Sequence, residues 1–177
     1  MGTPQLQISD FGLSLEPGPA GRPQPLVQSL HARLTAEGLH VLAQGGIEEA
    51  ARRAPVGMQL ETLQVSDAGI DLKLRISKSI IKSSMGTRLV LSAPGGDVLR
   101  AELTNLEMPG WVPLDLLLDA AVKQANGAVQ RDPANPRALL LNPARLLTSF
   151  GVPGRFAPGV WSVSTSAAGI DLGFHES

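Results

Sequence analysis

An α+β domain, with a curved antiparallel β-sheet packed against two helical regions, is the architecture this sequence predicts. Three observations lead there. LQVSDAGIDLKL (Leu63–Leu74) alternates apolar and polar residues on either side of a small polar turn. VSTSAAGIDLG (Val163–Gly173) repeats that phrase closely. Leu26–Ala54 and Pro113–Val129 instead carry apolar residues at helical spacing. A chain of 177 residues is long enough to bury one core, so 1–177 reads as a single domain.

The elements follow in order. Leu6–Leu15, inside LQISDFGLSLE (Leu6–Glu16), reads as a strand or hairpin arm and is a looser third copy of the phrase. PGPAGRPQP (17–25) is a Pro/Gly-rich connector. Leu26, Val27, Leu30 and Leu34 then predict a helix ending near Leu34. Thr35 is placed to cap a second helical piece, with Leu39 and Leu42 inward and Gly45-Gly46 as its stop. IEEAARRA, from Ile47, predicts a third short piece that Pro55 ends.

After Gly57 the period becomes two. Leu63 and Val65 lead to SDAG (Ser66–Gly69), a tight turn whose glycine takes the left-handed conformation and makes a bulge. Ile70, Leu72, Leu74 and Ile76 line one face beyond it, and Asp71, Lys73 and Arg75 the other. Lys78 and Lys82 fall in a loop. Arg88–Leu91 and Val98–Leu106 predict strands joined through the APGGD turn.

Helix signals resume at Pro113. Leu114, Leu117, Leu118, Ala121, Val122 and Ala125 form its apolar face, and Asp119–Lys123 an ion pair on the opposite stripe. A short strand at Ala138–Leu141 and one helical turn at ARLL, from Ala144, precede the loop GVPGRFAPG. The strands Val160–Ser164 and Ile170–Phe174 close the chain. The recurring phrase therefore reads as the code for antiparallel hairpins, and its irregular spacing rules out a solenoid.

Composition excludes several chemistries. There is no cysteine, hence no disulfide, thiol nucleophile or thiolate metal site. A net charge of -1, 3% aromatics and no tyrosine argue against nucleic acid, base stacking and a sugar platform. The first twenty residues contain no continuous apolar block and do not read as a signal peptide. No run reaches transmembrane length, since VPLDLLLDAAV carries two aspartates. A cytoplasmic location is expected if the chain is complete, and an envelope-associated one if an export segment has been removed.

Candidate reactive groups are few. His40 with Glu37 is a histidine–carboxylate pair in sequence only, and His31, His40 and His175 read as solvated. No metal-ligand motif occurs, so no cofactor is expected. Asp115 and Asp119 share one side of a helix at i,i+4, near the terminus where negative charge is favoured. Ser79–Lys82 reads SIIK, an SxxK pattern without the companion elements of penicillin-binding enzymes. Between Asp71 and Asp97 no acidic residue occurs, while Lys73, Arg75, Lys78, Lys82 and Arg88 sum to +5. Such a patch suits anionic headgroups, an acidic protein or phosphate, and lacks the aromatics that nucleic acid favours. Trp111 and Trp161 sit at element boundaries, either as packing or over a groove mouth or membrane surface.

LTAEGLHVLAQGGIEEAARRA (Leu34–Ala54), LQVSDAGIDLKLRI (Leu63–Ile76) and RALLLNPARLL (Arg137–Leu147) carry a resemblance. In that order they are similar to bacterial tubular lipid-binding (TULIP-like) modules, the superfamily that includes lipopolysaccharide-binding and synaptotagmin-like lipid-transfer domains. The texture looks most like the small LmeA-like phospholipid-binding family. The resemblance implies a long helix lying along a strongly curved sheet, with lipid acyl chains in the gap. The chain departs from usual members in lacking an export signal and in its glycine-containing first helix.

The leading expectation is non-catalytic binding of a lipid or other apolar ligand in a groove between sheet and helices. Leu30, Leu34, Leu72, Leu74, Leu117 and Val122 would line it, with Trp111 at its mouth. Lys73, Arg75, Lys78, Lys82 and Arg88 would contact anionic groups of the ligand or of a membrane surface. The alternative is a structural or adaptor domain with a closed core, dimeric through an apolar patch or a sheet edge. A third reading is a small hydrolase using Asp115, Asp119 or Ser79.

Overall fold

Strands β1 (Leu6–Pro17) and β2 (Pro23–Thr35) form an antiparallel ribbon from the pair Leu6–Leu34 to the pair Pro17–Pro23. β2 replaces the helix expected over Leu26–Leu34, and a bulge explains the difference. Leu13 pairs with Val27 and Gly12 with Ser29, so Gln28 is an extra residue. It widens the interval between buried side chains from two residues to three, from Val27 to Leu30, and imitates helical spacing. Beyond it the period of two returns, with Leu30 and Ala32 buried and His31 exposed. The expected connector at 17–25 also contracts, because Pro17, Pro23 and Pro25 lie within the ladder.

The computed structural model describes residues 6–18, 21–53, 56–112, 114–152 and 155–177. They form an α+β fold, mostly antiparallel strand, with two open sheets in place of the single sheet expected. The first runs β1-β2-β11-β10, with β10 at Gly159–Ser166 and β11 at Gly169–Glu176. A two-residue strand, β9 (Arg155–Phe156), lies parallel to β2 beyond the end of β11. The second runs β3-β4-β5-β6-β8-β7. Its strands are Gly57–Ser66 (β3), Gly69–Lys78 (β4), Ile81–Gly95 (β5), Val98–Glu107 (β6), Val129–Arg131 (β7) and Ala138–Leu141 (β8).

Two of the three recurring phrases encode hairpins. Ser66 pairs with Gly69 and Ser166 with Gly169 across two-residue turns. Gly69 has φ +129° and Gly169 φ +138°, where a side chain is strained. The bulge expected at Gly69 lies instead at Glu61, which is skipped between the pairs Leu60–Leu74 and Thr62–Lys73. The N-terminal phrase is one bulged strand and makes no hairpin.

Helix α1 (Ala36–Arg53) starts where expected. The Thr35 hydroxyl accepts the Gly38 amide at 3.1 Å, capping the first turn. It then continues through Gly45-Gly46, which do not stop it. Pairs one turn apart, Gln44–Glu48 and Glu49–Arg53, span and follow the glycines. Helix α2 (Leu114–Gln124) ends earlier than Val129, because Asn126 and Gly127 take positive φ and turn the chain into β7. Ala121 is exposed, so the apolar face is narrower than its sequence pattern. Asp115 and Asp119 face Arg131, at 2.6 and 3.9 Å, and no Asp119–Lys123 pair forms among the described residues. Helix α3 (Pro143–Ser149) follows Asn142, whose side chain accepts the Arg145 amide at 3.0 Å. Pro55, Pro113 and the centre of the GVPGRFAPG loop lie outside the described residues.

Two apolar clusters hold the layers. The first joins β2, β10 and β11 to α3 around Leu30, Leu147, Trp161 and Phe174. Trp161 is thus a core residue, with its ring centroid 4.8 Å from that of Phe174 and 5.1 Å from that of Phe156. The second collects Ile76 and Met85 from the second sheet with Val56, Val112 and Leu117.

Candidate functional site

Of the seven residues expected to line a groove, five fall in or against these two clusters. Leu30 and Leu34 pack in the first, Leu74, Leu117 and Trp111 in or against the second, and Leu72 is half-buried on β4 outside both. Val122 is half-buried on α2 and belongs to neither. Leu72 and Leu74 are alternate residues on one face of β4, and of that face Leu74 and Ile76 belong to the second cluster.

On the opposite face of β4 the expected cations meet acids. The β3 bulge turns Glu61 to this side, where its carboxylate lies 2.6 Å from Arg75 and 3.8 Å from Lys73. Simple alternation from Leu63 and Val65 would send Glu61 to the apolar face. Arg88, directly across from Asp71 in the β4–β5 ladder, donates from Nε and Nη2 at 2.8 and 3.0 Å. Those hydrogen bonds hold the Asp71 carboxyl below the usual carboxylate range, against the opposing effect of burial, and raise Arg88. A shallow concavity of about 270 Å³ lies over this face, lined by Lys73, Arg88, Gly86 and Asn105 among others. Three of the five predicted cations are therefore paired.

Lys78 and Lys82 differ. They stand on a β4–β5 hairpin, not in a loop, in the pairs Lys78–Ile81 and Ser77–Lys82. Both are exposed, and neither forms an ion pair among the described residues. Ser79 sits in the turn and Lys82 on a strand, so the SIIK pattern lacks the helical geometry that brings serine to lysine.

The first sheet carries a polar group that sequence reasoning missed. Ser9, the extra residue of a bulge on β1, shares a 2.6 Å hydrogen bond between its Oγ and His31 Nδ1. His31 Nε2 lies 3.9 Å from Asp171 Oδ1, beyond hydrogen-bond length. Both Asp171 oxygens already accept from Arg33, at 2.8 and 3.0 Å. The order serine–histidine–aspartate thus lacks the histidine–aspartate link that nucleophilic catalysis uses. Only the bulge brings Ser9 opposite His31, and no short motif encodes it.

Asp115 and Asp119 are exposed beside Arg131 rather than buried together. Among the described residues no group of three or more histidines and acids is placed to share a metal ion. No described helix is long and apolar enough to cross a membrane. A second concavity, about 460 Å³, lies between the end of α2 and α3, lined by Ala125, Leu146, Arg145 and Arg155 among others. It includes none of the predicted lining residues. The chain matches no protein-family profile, no curated protein and no solved structure.

Proposed function

We propose that the protein binds a lipid or another apolar ligand without catalysis, in a tubular arrangement of curved sheet and helices. The observation that carries this reading is the inward face of β4. Ile70, Leu72, Leu74 and Ile76 form an unbroken aliphatic strip of about 20 Å at the usual strand rise. That length suits an acyl chain, and the Leu74–Ile76 end of the strip lies in the second apolar cluster. Its neighbours on α2 and near Trp111 supply Leu117 and Val112, also without polar atoms in the side chains beyond the indole N–H. Aliphatic walls of this kind take apolar ligands by exclusion of water.

A closed-core adaptor is the second reading, favoured by Leu30, which is 1% exposed, and by the filled aromatic group Phe156, Trp161 and Phe174. Native mass spectrometry of gently purified protein, followed by denaturation and organic extraction, separates the two. Release of a species of lipid mass supports the ligand reading. A clean mass, together with failure to bind fluorescent fatty-acid and phospholipid probes, supports the adaptor. The same spectrum tests whether a second copy of the chain is the partner.

A further inference from the structure

Four two-residue turns close hairpins among the described residues: Asp67-Ala68, Ser79-Ile80, Gly96-Asp97 and Ala167-Ala168. Three use small or polar residues, as turns exposed to water do. The β4–β5 turn alone carries a large apolar side chain. Ile80 is 93% exposed and the adjoining Ile81 55%. Ser79 also holds φ at +56°, a conformation more natural to asparagine or glycine. Among the described residues Ile80 joins neither apolar cluster and Ser79 makes no side-chain hydrogen bond, and a local cost of this kind is characteristic of surfaces that act elsewhere.

The surroundings say what this tip fits. Lys78 and Lys82 flank it, without acidic partners among the described residues. Lys82 lies across from Ser77 and so shares the outward face of Arg75, whereas Lys78 continues the opposite face of Ile76. One lysine therefore stands on each side of the ribbon, Lys78 in the pair that closes the turn, level with Ile81, and Lys82 one pair further back. An apolar point with lysines just behind it on both sides matches hydrocarbon below a layer of anionic headgroups, with the long lysine stems reaching back outward to them. A narrow apex also presents little area to a flat protein surface.

We propose that the Ser79-Ile80 turn is a membrane-docking point, which inserts Ile80 and Ile81 into an anionic bilayer while Lys78 and Lys82 hold the headgroups. This goes beyond the interior-ligand reading and does not depend on it.

The absence of cysteine makes the test direct. Ile80→Cys carries one environment-sensitive fluorophore, and Ala68→Cys carries it at the opposite end of β4 as the reference. Vesicles of phosphatidylcholine with phosphatidylglycerol are expected to shift the emission of the probe at position 80 to the blue and leave that at 68 unchanged. Phosphatidylcholine alone is expected to do neither. In co-sedimentation of unlabelled protein, Ile80→Ser should weaken binding by about tenfold or more. Lys78→Gln and Lys82→Gln should each weaken it by about fivefold at low salt. All four positions are exposed, and circular dichroism checks that the variants fold.

Equal responses at both positions, or no anionic-vesicle binding, overturn the proposal. So does binding indifferent to Ile80→Ser or to both lysine variants. A blue shift at position 80 that grows with protein concentration in the absence of vesicles also overturns it, and assigns the tip to a second copy. A protein that yields no lipid on extraction can still pass this test, so the two readings fail separately.

Discussion

Asp71 and Asp171 occupy the same place in two different sheets. Each is the second residue after a positive-φ glycine, each follows a buried isoleucine, and each grips the arginine across the ladder through both carboxylate oxygens. The arginines, Arg88 and Arg33, donate at 2.8 and 3.0 Å in both cases. The two GIDL copies thus fix register in the same way, with a planar fork that a lysine would not reproduce. Because the second pair lies on the strand that follows in one case and on an early strand in the other, the likeness is one of local chemistry.

Asp71→Asn is expected to lower the melting temperature at pH 7 and to lose that effect in acid. The folded carboxyl is held below its unfolded value of about 3.9. Its contribution is therefore fully present above that value and disappears as pH falls through the folded pKa. Asp132 acts in the same direction, held down first by the Ala134 amide and then by Arg100. Thermal melts of Asp71→Asn and wild type should differ at pH 7 and converge as the pH falls below the ordinary carboxylate range. A difference that persists unchanged in acid would remove the ion pair as its cause.

Glycine substitutions should split by sign. A Cβ on Gly69 would approach the Leu89 carbonyl oxygen at 2.6 Å, and one on Gly169 would meet the Leu34 carbonyl. Gly69→Ala and Gly169→Ala are each expected to cost roughly 2 kcal/mol or more, combining steric contact with a strained backbone. A Cβ on Gly45 or Gly46 meets nothing within 4 Å. Gly45→Ala and Gly46→Ala should each add about 0.5–1 kcal/mol through helix propensity. Urea denaturation measures all four.

Leu30→Ala is expected to cost about 2–5 kcal/mol, the range for emptying a packed leucine site. Its side chain is buried against the aromatic group of the first sheet, which cannot easily collapse around a void. A loss well below that range, read by chemical denaturation, would show slack space at Leu30 and place the ligand there.

Glu61→Gln should release Lys73 and Arg75 from their shared carboxylate. Two cations then join Lys82 on one face of the β4–β5 ribbon, so affinity for anionic vesicles is expected to rise severalfold at low ionic strength. High salt should erase the gain, since the added interaction is screened beyond about 10 Å at moderate salt. An unchanged vesicle affinity at low salt would show that this face stays away from the membrane.

The hairpins were legible because their signals are local. SDAGIDL and SAAGID state turn, glycine and alternation within a few residues, and both fold as written. Thr35 as a cap and the helical turn from Ala144 are equally local. Bulges were not legible, and they account for most of the differences. Gln28 made β2 look helical, Glu61 crossed to the polar face, and Ser9 came to rest against His31. Each depends on how two strands far apart in sequence align, which periodicity within one strand does not reveal. The five cations were visible as a run, but their partition was not, because Glu61 lies outside that run. The isoleucine tip was not legible either: Lys78 and Lys82 read as loop residues, and only the pairing of Lys78 with Ile81 puts Ser79 and Ile80 at the apex of a hairpin.

The placement of β2 between β1 and β11 also sets an order of assembly. β3 to β6 are consecutive hairpins, whose pairing needs only short loops to close. The first sheet is different, because Arg33 and Asp171 meet across 138 residues of chain. During synthesis the β2 edge therefore waits, with its amides and carbonyls open, until β10 and β11 have emerged. Pulse-labelled hydrogen exchange should find β4 and β5 protected early and β2 and β11 late, since distant pairing forms slowly. That interval is when an unfinished molecule is most open to pairing with its neighbour.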